Sequence, residues 1–275
     1  MTVPTVEAVC SAWGQLRSEQ PLVQCLTNVV VAGWTANVLL AARAAPVMVD
    51  NPFEAGDCAR HASATLVNLG TPQQATADGM REAVRARQAT GQGWVLDPVA
   101  VGVLGWRTEL AHELAAIAPP SLVRGNASEI AALAPESAGA PDSGRGVDAT
   151  TTPEAVLPEA RALAAQWGSV VAVSGETDHV VSPDGEVVRL RHGHPWLTRV
   201  TGSGCALGAL AAGCAAVSDP FTGAVAATAG LTLAAEDAAR GAGGPGSFAP
   251  ALLDALDQLG PDAMAERLVL TTGEG

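Results

Sequence analysis

Lysine and tyrosine are both absent from the 275 residues, so all fifteen basic side chains are arginine. Without the lysine amine there is no Schiff-base mechanism and no Walker A phosphate loop. Any phosphate bound here must be met by arginine, backbone N–H groups or a metal. Positive charge is also scarce overall: 28 acids against 15 bases give −13, with a pI near 4.7. No basic cluster interrupts this, which excludes nucleic acid as a partner, because phosphate contacts supply most of that affinity. Long apolar runs are missing too. The longest uncharged stretches, 21–42 and 200–218, carry Gln24, Thr27, Asn28 and Asn37 in the first and Gly202, Gly204, Gly208 and Gly213 in the second. Neither reads as a membrane span. Residues 1–13 have no basic run and no long apolar core, so no signal peptide is expected. Five cysteines, an odd number with no C-x-x-C pair, point to reduced thiols and a cytoplasmic protein.

What is present is a chain 48% hydrophobic and 16% charged, long enough for a sizeable core. Short apolar runs at 22–25, 47–49, 65–69, 94–96, 122–124 and 170–174 predict strands. Amphipathic patterns at 31–44, 53–61, 76–90, 108–117, 128–134 and 153–166 predict helices between them. That alternation predicts an α/β fold with a central, mostly parallel sheet and helices on both faces. A hairpin is expected over 179–181 and 187–191, turning at Asp184-Gly185, followed by Ala-rich helices at 205–217, 221–240 and 250–259. The irregular stretch 134–151 reads as a surface excursion rather than a linker, so a single domain spanning 1–275 is expected.

In open α/β sheets ligands bind beyond the carboxyl ends of the strands. The successive exits here carry Thr27-Asn28, Asp50-Asn51, Asn68 with Gly70-Thr71, Asp97-Pro98, Arg124-Gly125-Asn126 and Ser174-Gly175-Glu176. Each alone serves as a turn or cap. Acid, arginine and glycine arriving together along one edge suggest a site for a charged ligand. Thr201-Gly202-Ser203-Gly204-Cys205 then precedes an Ala-rich helix, where glycines let backbone N–H groups face an anion and the helix dipole adds to their pull. A tight turn is the plainer reading of an isolated G-x-G. Cys205 at that helix start is open to three readings: a thiol of lowered pKa acting as a base, a nucleophile, or a small buried apolar residue. Asn126-x-x-Glu129 is either a capping box or a carboxylate beside a Mg²⁺–phosphate site, with Asp97 as a second acid. His192-Gly193-His194 has no further ligand at helical spacing and reads as a hairpin exit before Pro195.

Several ordered blocks carry a family resemblance. They include residues 21–28 (PLVQCLTN), Thr35-Ala36-Asn37, Ala45-Pro46-Val47-Met48, Asn68-Leu69-Gly70-Thr71 and Leu96-Asp97-Pro98-Val99. Further along come Trp106-Arg107-Thr108-Glu109, residues 124–130 (RGNASEI), Gly146-Val147-Asp148, residues 171–176 (VAVSGE), Gly193-His194-Pro195 and residues 200–205 (VTGSGC). From about residue 20 to 240 the chain resembles the hydroxyethylthiazole kinases of the ribokinase-like superfamily. Cysteine at position 205 fits that family, whereas most related sugar and vitamin kinases have aspartate there.

The resemblance implies transfer of the ATP γ-phosphoryl group to 4-methyl-5-(2-hydroxyethyl)thiazole in thiamine biosynthesis and salvage. It implies a ribokinase-like fold, Mg²⁺ as cofactor, and a homotrimer with active sites between subunits. By position, Met48, Gly202 and Asn28 are expected at the thiazole. Arg124, Ser174, Asp97 and Glu129 are expected at ATP, the two acids also organising Mg²⁺. Gly202, Gly204 and Cys205 are expected to form the catalytic anion hole, with Cys205 beside the substrate hydroxyl. Gln24, Asp50 and Ala100 depart from the family pattern near substrate and interface. Rival readings are a kinase for another vitamin alcohol, a cysteine hydrolase (none of the five histidines is marked out as its base) and a non-catalytic thiazole-binding protein.

Overall fold

The computed structural model describes residues 1–135 and 151–273. The irregular stretch expected over 134–151 lies almost wholly outside the described residues, as does Gly146-Val147-Asp148. Among the described residues nine strands form one sheet: β1 (Leu22–Leu26), β2 (Ala45–Val47), β3 (Ala64–Asn68), β4 (Val95–Asp97), β5 (Leu122–Asn126), β6 (Val170–Ser174), β7 (Asp178–Val181), β8 (Val187–Leu190) and β9 (Thr271–Thr272). Their order is β2-β1-β3-β4-β5-β6-β7-β8-β9. The six strands from β2 to β6 in that order run parallel, and β7, β8 and β9 are added antiparallel.

The helices are α1 (Val6–Glu19), α2 (Ala32–Ala41), α3 (Ala55–His61), α4 (Gln74–Thr90), α5 (Gly105–Ile117), α6 (Ala127–Leu133), α7 (Leu157–Trp167), α8 (Ser203–Val217), α9 (Pro220–Gly241), α10 (Pro245–Gln258) and α11 (Pro261–Ala265). The strands are apolar on both faces, as a sheet covered on both sides requires. Residue parity decides which layer each side chain joins. Val23, Leu66, Val95, Leu122 and Ala172 meet α1, α2 and α8–α11. Leu26, Val67, Leu96, Val123 and Val173 meet α3–α7. Burying each Leu or Val side chain contributes roughly 1.5–3 kcal/mol.

Small residues along α8 and α9 let both helices lie close to the sheet and to each other, with Ala206, Ala209, Ala212, Ala226 and Ala229 fully buried. This packing sets the start of α8 over the carboxyl ends of the central strands.

Among the departures from the sequence expectation, three bear on the edge and the site. β2 covers Ala45–Val47 rather than 47–49, because its ladder to β1 runs from Leu22↔Ala45 to Gln24↔Val47. It is an edge strand, where Pro46 and its missing N–H are tolerated. β4 runs one residue further than expected and ends on Asp97 itself. α1, which the strand–helix reading did not anticipate, is capped by Thr5 Oγ1 and buries Val9, Ala12, Trp13 and Leu16 at helical spacing.

Candidate active site

The parallel strands bring their carboxyl ends to one edge, and four polar side chains there form a hydrogen-bonded chain. Asp97 ends β4 and is buried. Asn68, the last residue of β3, is its register partner and donates from Nδ2 to Asp97 Oδ2 at 2.6 Å. Asn68 Oδ1 accepts the Asn28 Nδ2–H at 3.0 Å and the Gly70 N–H at 2.9 Å. Asn28 Nδ2 also lies 3.5 Å from Cys205 Sγ. The series therefore runs from an acid through two amides to the thiol at the third position of α8.

Burial pushes the Asp97 carboxyl up to about 7, and the neighbouring Glu129 adds to this, while Arg124 and the Asn68 hydrogen bond pull it down. Asp97 Oδ1 is buried with no partner. Of the readings open at Cys205, the one with a lowered thiol pKa does not hold. Burial raises it, as does the charge of Asp97, and these outweigh Asn68, Arg124 and Asn28.

The start of α8 is built for close approach. Gly202 has φ 90°, and a Cβ there would lie 2.6 Å from Val31 Cγ1, so only glycine fits. A Cβ at Gly204 would lie 2.8 Å from Arg124 Nη1, so the bare backbone lets the guanidinium reach the helix N-terminus. The first-turn N–H groups of a helix have no partner within it, and the guanidinium lies beside that helix end. Arg124 is half-buried on β5. Its Nη2–H donates to Ser174 Oγ at 2.8 Å, and its Nε is buried without a partner. Thr27 Oγ1 and Trp34 Nε1 are further buried, unpartnered polar atoms near this helix start. Such groups call for a ligand or water to satisfy them.

Glu129 settles one alternative. Its Oε2 accepts the Asn126 N–H at 2.9 Å, and Asn126 Oδ1 accepts the Glu129 N–H at 2.9 Å, so the capping box is formed. Its Oε1 accepts the Ala100 N–H at 3.0 Å. Each oxygen keeps a second lone pair. A hard cation delivered with phosphates fits the orphaned oxygen of Asp97 together with Glu129. No group of three protein ligands exists among the described residues, so phosphates and water would complete its shell. His192 and His194 are engaged otherwise: His192 Nδ1 pairs with Glu236 at 3.0 Å, and His194 Nδ1 accepts the Trp196 N–H at 3.2 Å.

Beside Arg124 opens a cleft of about 580 Å³. Its lining mixes polar side chains, among them Arg124, Ser174, Glu176, Asp178, His192 and His194, with the apolar Pro195, Leu197, Leu207 and Leu231, and Ser203 and Gly204 border it. A ligand with both an anionic group and an apolar part would suit this lining. Asp97, Glu129, Asn28 and Cys205 are not among its walls. Met48 follows the edge strand β2 and is 38% exposed. The sequence reading picked out Asn68 only as part of a strand exit and missed Asp178. The available signal for Asp178 was an acid four residues past the end of β6, where the chain turns back into an antiparallel strand.

The profile of the hydroxyethylthiazole kinase family matches residues 14–262. A hydroxyethylthiazole kinase of Clavibacter sepedonicus is 57% identical over 254 residues, covering 92% of this chain and 90% of its own. The solved hydroxyethylthiazole kinase protein of Pyrococcus horikoshii superposes with a TM-score of 0.87 at 31% identity, covering 97% of this chain and 99% of that one. A ribokinase-like superfamily protein of Enterococcus faecalis shares the fold at a TM-score of 0.62 and 14% identity, over 93% of this chain and 95% of its own.

Proposed function

The chain belongs to the hydroxyethylthiazole kinase family, and from that membership we propose how its own residues carry the reaction. The activity is phosphoryl transfer from ATP to the hydroxyethyl oxygen of 4-methyl-5-(2-hydroxyethyl)thiazole, in thiamine biosynthesis and salvage. The observation that carries the site assignment is the Asp97–Asn68–Asn28–Cys205 chain ending at a helix N-terminus that Arg124 also approaches.

In this reading the cleft holds the nucleotide, with its phosphates at Arg124 and Ser174. Arg124 stabilises the phosphate charge, a role arginine fills in a chain without lysine. Mg²⁺, held at Asp97 and Glu129, would supply charge neutralisation across the phosphate oxygens. The backbone N–H groups at Gly204 and Cys205 cradle the moving phosphoryl group, and Gly202 shapes the turn before them. The thiazole alcohol lies near Asn28 and Gly202, with Met48 at the outer rim. The bond from its oxygen to the γ-phosphorus forms as the bond to the ADP oxygen breaks. Its proton passes toward Cys205.

A homotrimer completing the site between subunits is part of the proposal. Exposed apolar side chains support it: Val29, Phe53 and Val103 stand out on the loops after β1, β2 and β4, and Trp106 in the first turn of α5. A single kinase domain over 1–275 and a cytoplasmic location, the latter resting on five unpaired cysteines, complete it. No helix among the described residues is long and apolar enough to cross a membrane.

A coupled ADP-release assay with ATP, Mg²⁺ and the thiazole alcohol tests the reading. ADP release is expected to depend on the thiazole and to be weaker with hydroxymethylpyrimidine or pyridoxal. Release that prefers either of those alcohols overturns the substrate.

A further inference from the structure

The chain that leaves β8 runs as a strap along the large cleft, and His192, Gly193, His194 and Pro195 all line it. No strand or helix holds residues 191–194, which precede a short 3₁₀ turn over Pro195–Arg199. The strap lies instead against α9. A Cβ on Gly193 would sit 3.5 Å from Thr232 Cβ, so the two segments cross at van der Waals distance, and the Gly193 φ of 113° is a bend that suits glycine. Thr232 lines the cleft as well. Glu236 lies one turn further along α9 on the same face.

Glu236 ties the strap down. Its Oε1 accepts the Gly193 N–H at 3.1 Å and lies 3.0 Å from His192 Nδ1. The Val269 N–H, which can only donate, lies 3.2 Å from His192 Nε2. Nε2 is therefore the lone-pair nitrogen of the ring, and Nδ1 carries the proton toward Glu236. One carboxylate oxygen thus fixes two successive residues of the strap, one by its ring and one by its backbone. The other oxygen, Oε2, accepts the Arg267 Nη2–H at 3.1 Å, and Arg267 Nη1 donates to Asp237 Oδ2 at 2.8 Å. Burial disfavours the charged form of Glu236, but the bonds from Gly193, His192 and Arg267 outweigh it and hold the carboxyl below its usual range. The acceptor is therefore ionised at neutral pH, and its hydrogen bonds are of the stronger, charge-assisted kind. Glu236 itself is not among the residues lining the cleft.

We propose that Glu236 is a positioning residue for nucleotide: through Gly193 and His192 it sets the strap that walls the cleft, without touching what the cleft holds. A strap left loose has to be ordered when the ligand arrives, and that entropy is lost from the affinity. The proposal rests on the reading of the cleft as the nucleotide site.

The test is a series at position 236 in the full-length protein, read by ADP affinity in calorimetry and by steady-state kinetics. Glu236→Ala is expected to raise the ADP Kd and the KM for ATP about tenfold, the scale of losing one charged hydrogen bond. The KM for thiazole should stay unchanged and kcat within about threefold, since Arg124 and the start of α8 remain in place. A rise in both KM values together overturns the proposal. Two conservative variants separate reach from charge, and both keep a polar side chain in case the alanine variant does not fold. Glu236→Gln keeps an oxygen at the same reach for Gly193 and His192, and its ADP Kd should stay within about threefold of wild type. Glu236→Asp keeps the charge but is one methylene short, and should lose as much affinity as the alanine variant. Rescue by aspartate and not by glutamine makes the effect one of charge and overturns the positioning. Arg267→Met removes the ion pairs behind Glu236 and leaves both strap bonds. It should lower Tm while changing ADP affinity less than about threefold. A loss of ADP affinity equal to that of Glu236→Ala would mean that general loosening of α9 explains both, and the positioning fails. Arg124→Ala is the control for the reading of the cleft. If it weakens ADP while Glu236→Ala does not, the positioning alone fails. If Arg124→Ala leaves ADP affinity unchanged, the nucleotide reading fails and the positioning with it.

Discussion

At Cys205 burial and the charge of Asp97 raise the thiol, and the nearby amides and Arg124 only partly offset them. The thiolate is therefore the minor form at neutral pH, and a base present as a minor form gives a modest rate gain. General-base catalysis is worth roughly 10²–10⁴-fold, and the lower end fits here. Cys205→Ala should thus lose less kcat than Arg124→Ala, and Cys205→Asp, which offers an ionised acceptor at the same place, should match or exceed wild type. Steady-state rates of the three variants check this, and an aspartate variant slower than the alanine variant contradicts it. Ala100 makes a different point. Its φ is 62°, a left-handed conformation that suits glycine, and its N–H is held by Glu129. The sequence marks this position as departing from a glycine in the family, and the backbone supplies the reason for that glycine. Ala100→Gly should stabilise by about 0.5–1 kcal/mol. That corresponds to a rise in Tm of roughly 1–4 °C, readable by calorimetry. Single residues were legible where a motif surrounded them, as with Arg124 and Glu129. Asn68 was less so, because its partner Asp97 is 29 residues away and only the sheet brings the two together.

Among the elements, the segment between β2 and α3 is anchored to the sheet by a buried side chain. Gln24 on β1 donates from Nε2 to Val49 O and to Ala55 O, each at 3.0 Å, and its Oε1 accepts the Thr65 hydroxyl at 3.3 Å. The residue that departs from the family pattern at this position is thus a clamp beneath the loop that follows Met48. Gln24→Leu would leave those acceptors unpaired, at a cost of about 1–3 kcal/mol. It should also raise the KM for thiazole more than the KM for ATP, since only the Met48 segment loosens. Equal changes in both would detach that segment from the thiazole. The parallel strands and the helices between them were readable from alternating apolar runs. Edge elements were not. β9 is two residues long and α11 five, too short for any periodicity to register. β2 slipped from its expected place because three residues do not fix a register by pattern; its pairing with β1 does.

Over the whole molecule, two buried acids hold raised pKa values, Asp97 at about 7 and Asp178 at about 6. In the unfolded chain both are ionised by pH 5, so between pH 5 and 8 the folded state binds more protons than the unfolded one. Stability then falls as pH rises through that window. His112, lowered by burial, acts in the opposite sense, so a difference between variants is the cleaner measure. Asp97→Asn carries no charge at any pH and should gain in Tm over wild type as pH goes from 5.5 to 8, while losing activity. Parallel curves for the two proteins would contradict the assignment. The same exchange of stability for a poised acid is common where function needs a buried charge. The central claim is that Arg124 and the bare N-terminus of α8 together make the phosphoryl site. Gly204→Ala tests it most directly, because the added methyl meets only the flexible end of Arg124 and should displace it without unfolding the helix. The account predicts a fall of about 10²-fold in kcat/KM for ATP, the scale of losing one oriented donor, at a Tm near wild type. An unchanged kcat/KM in the folded variant would contradict it.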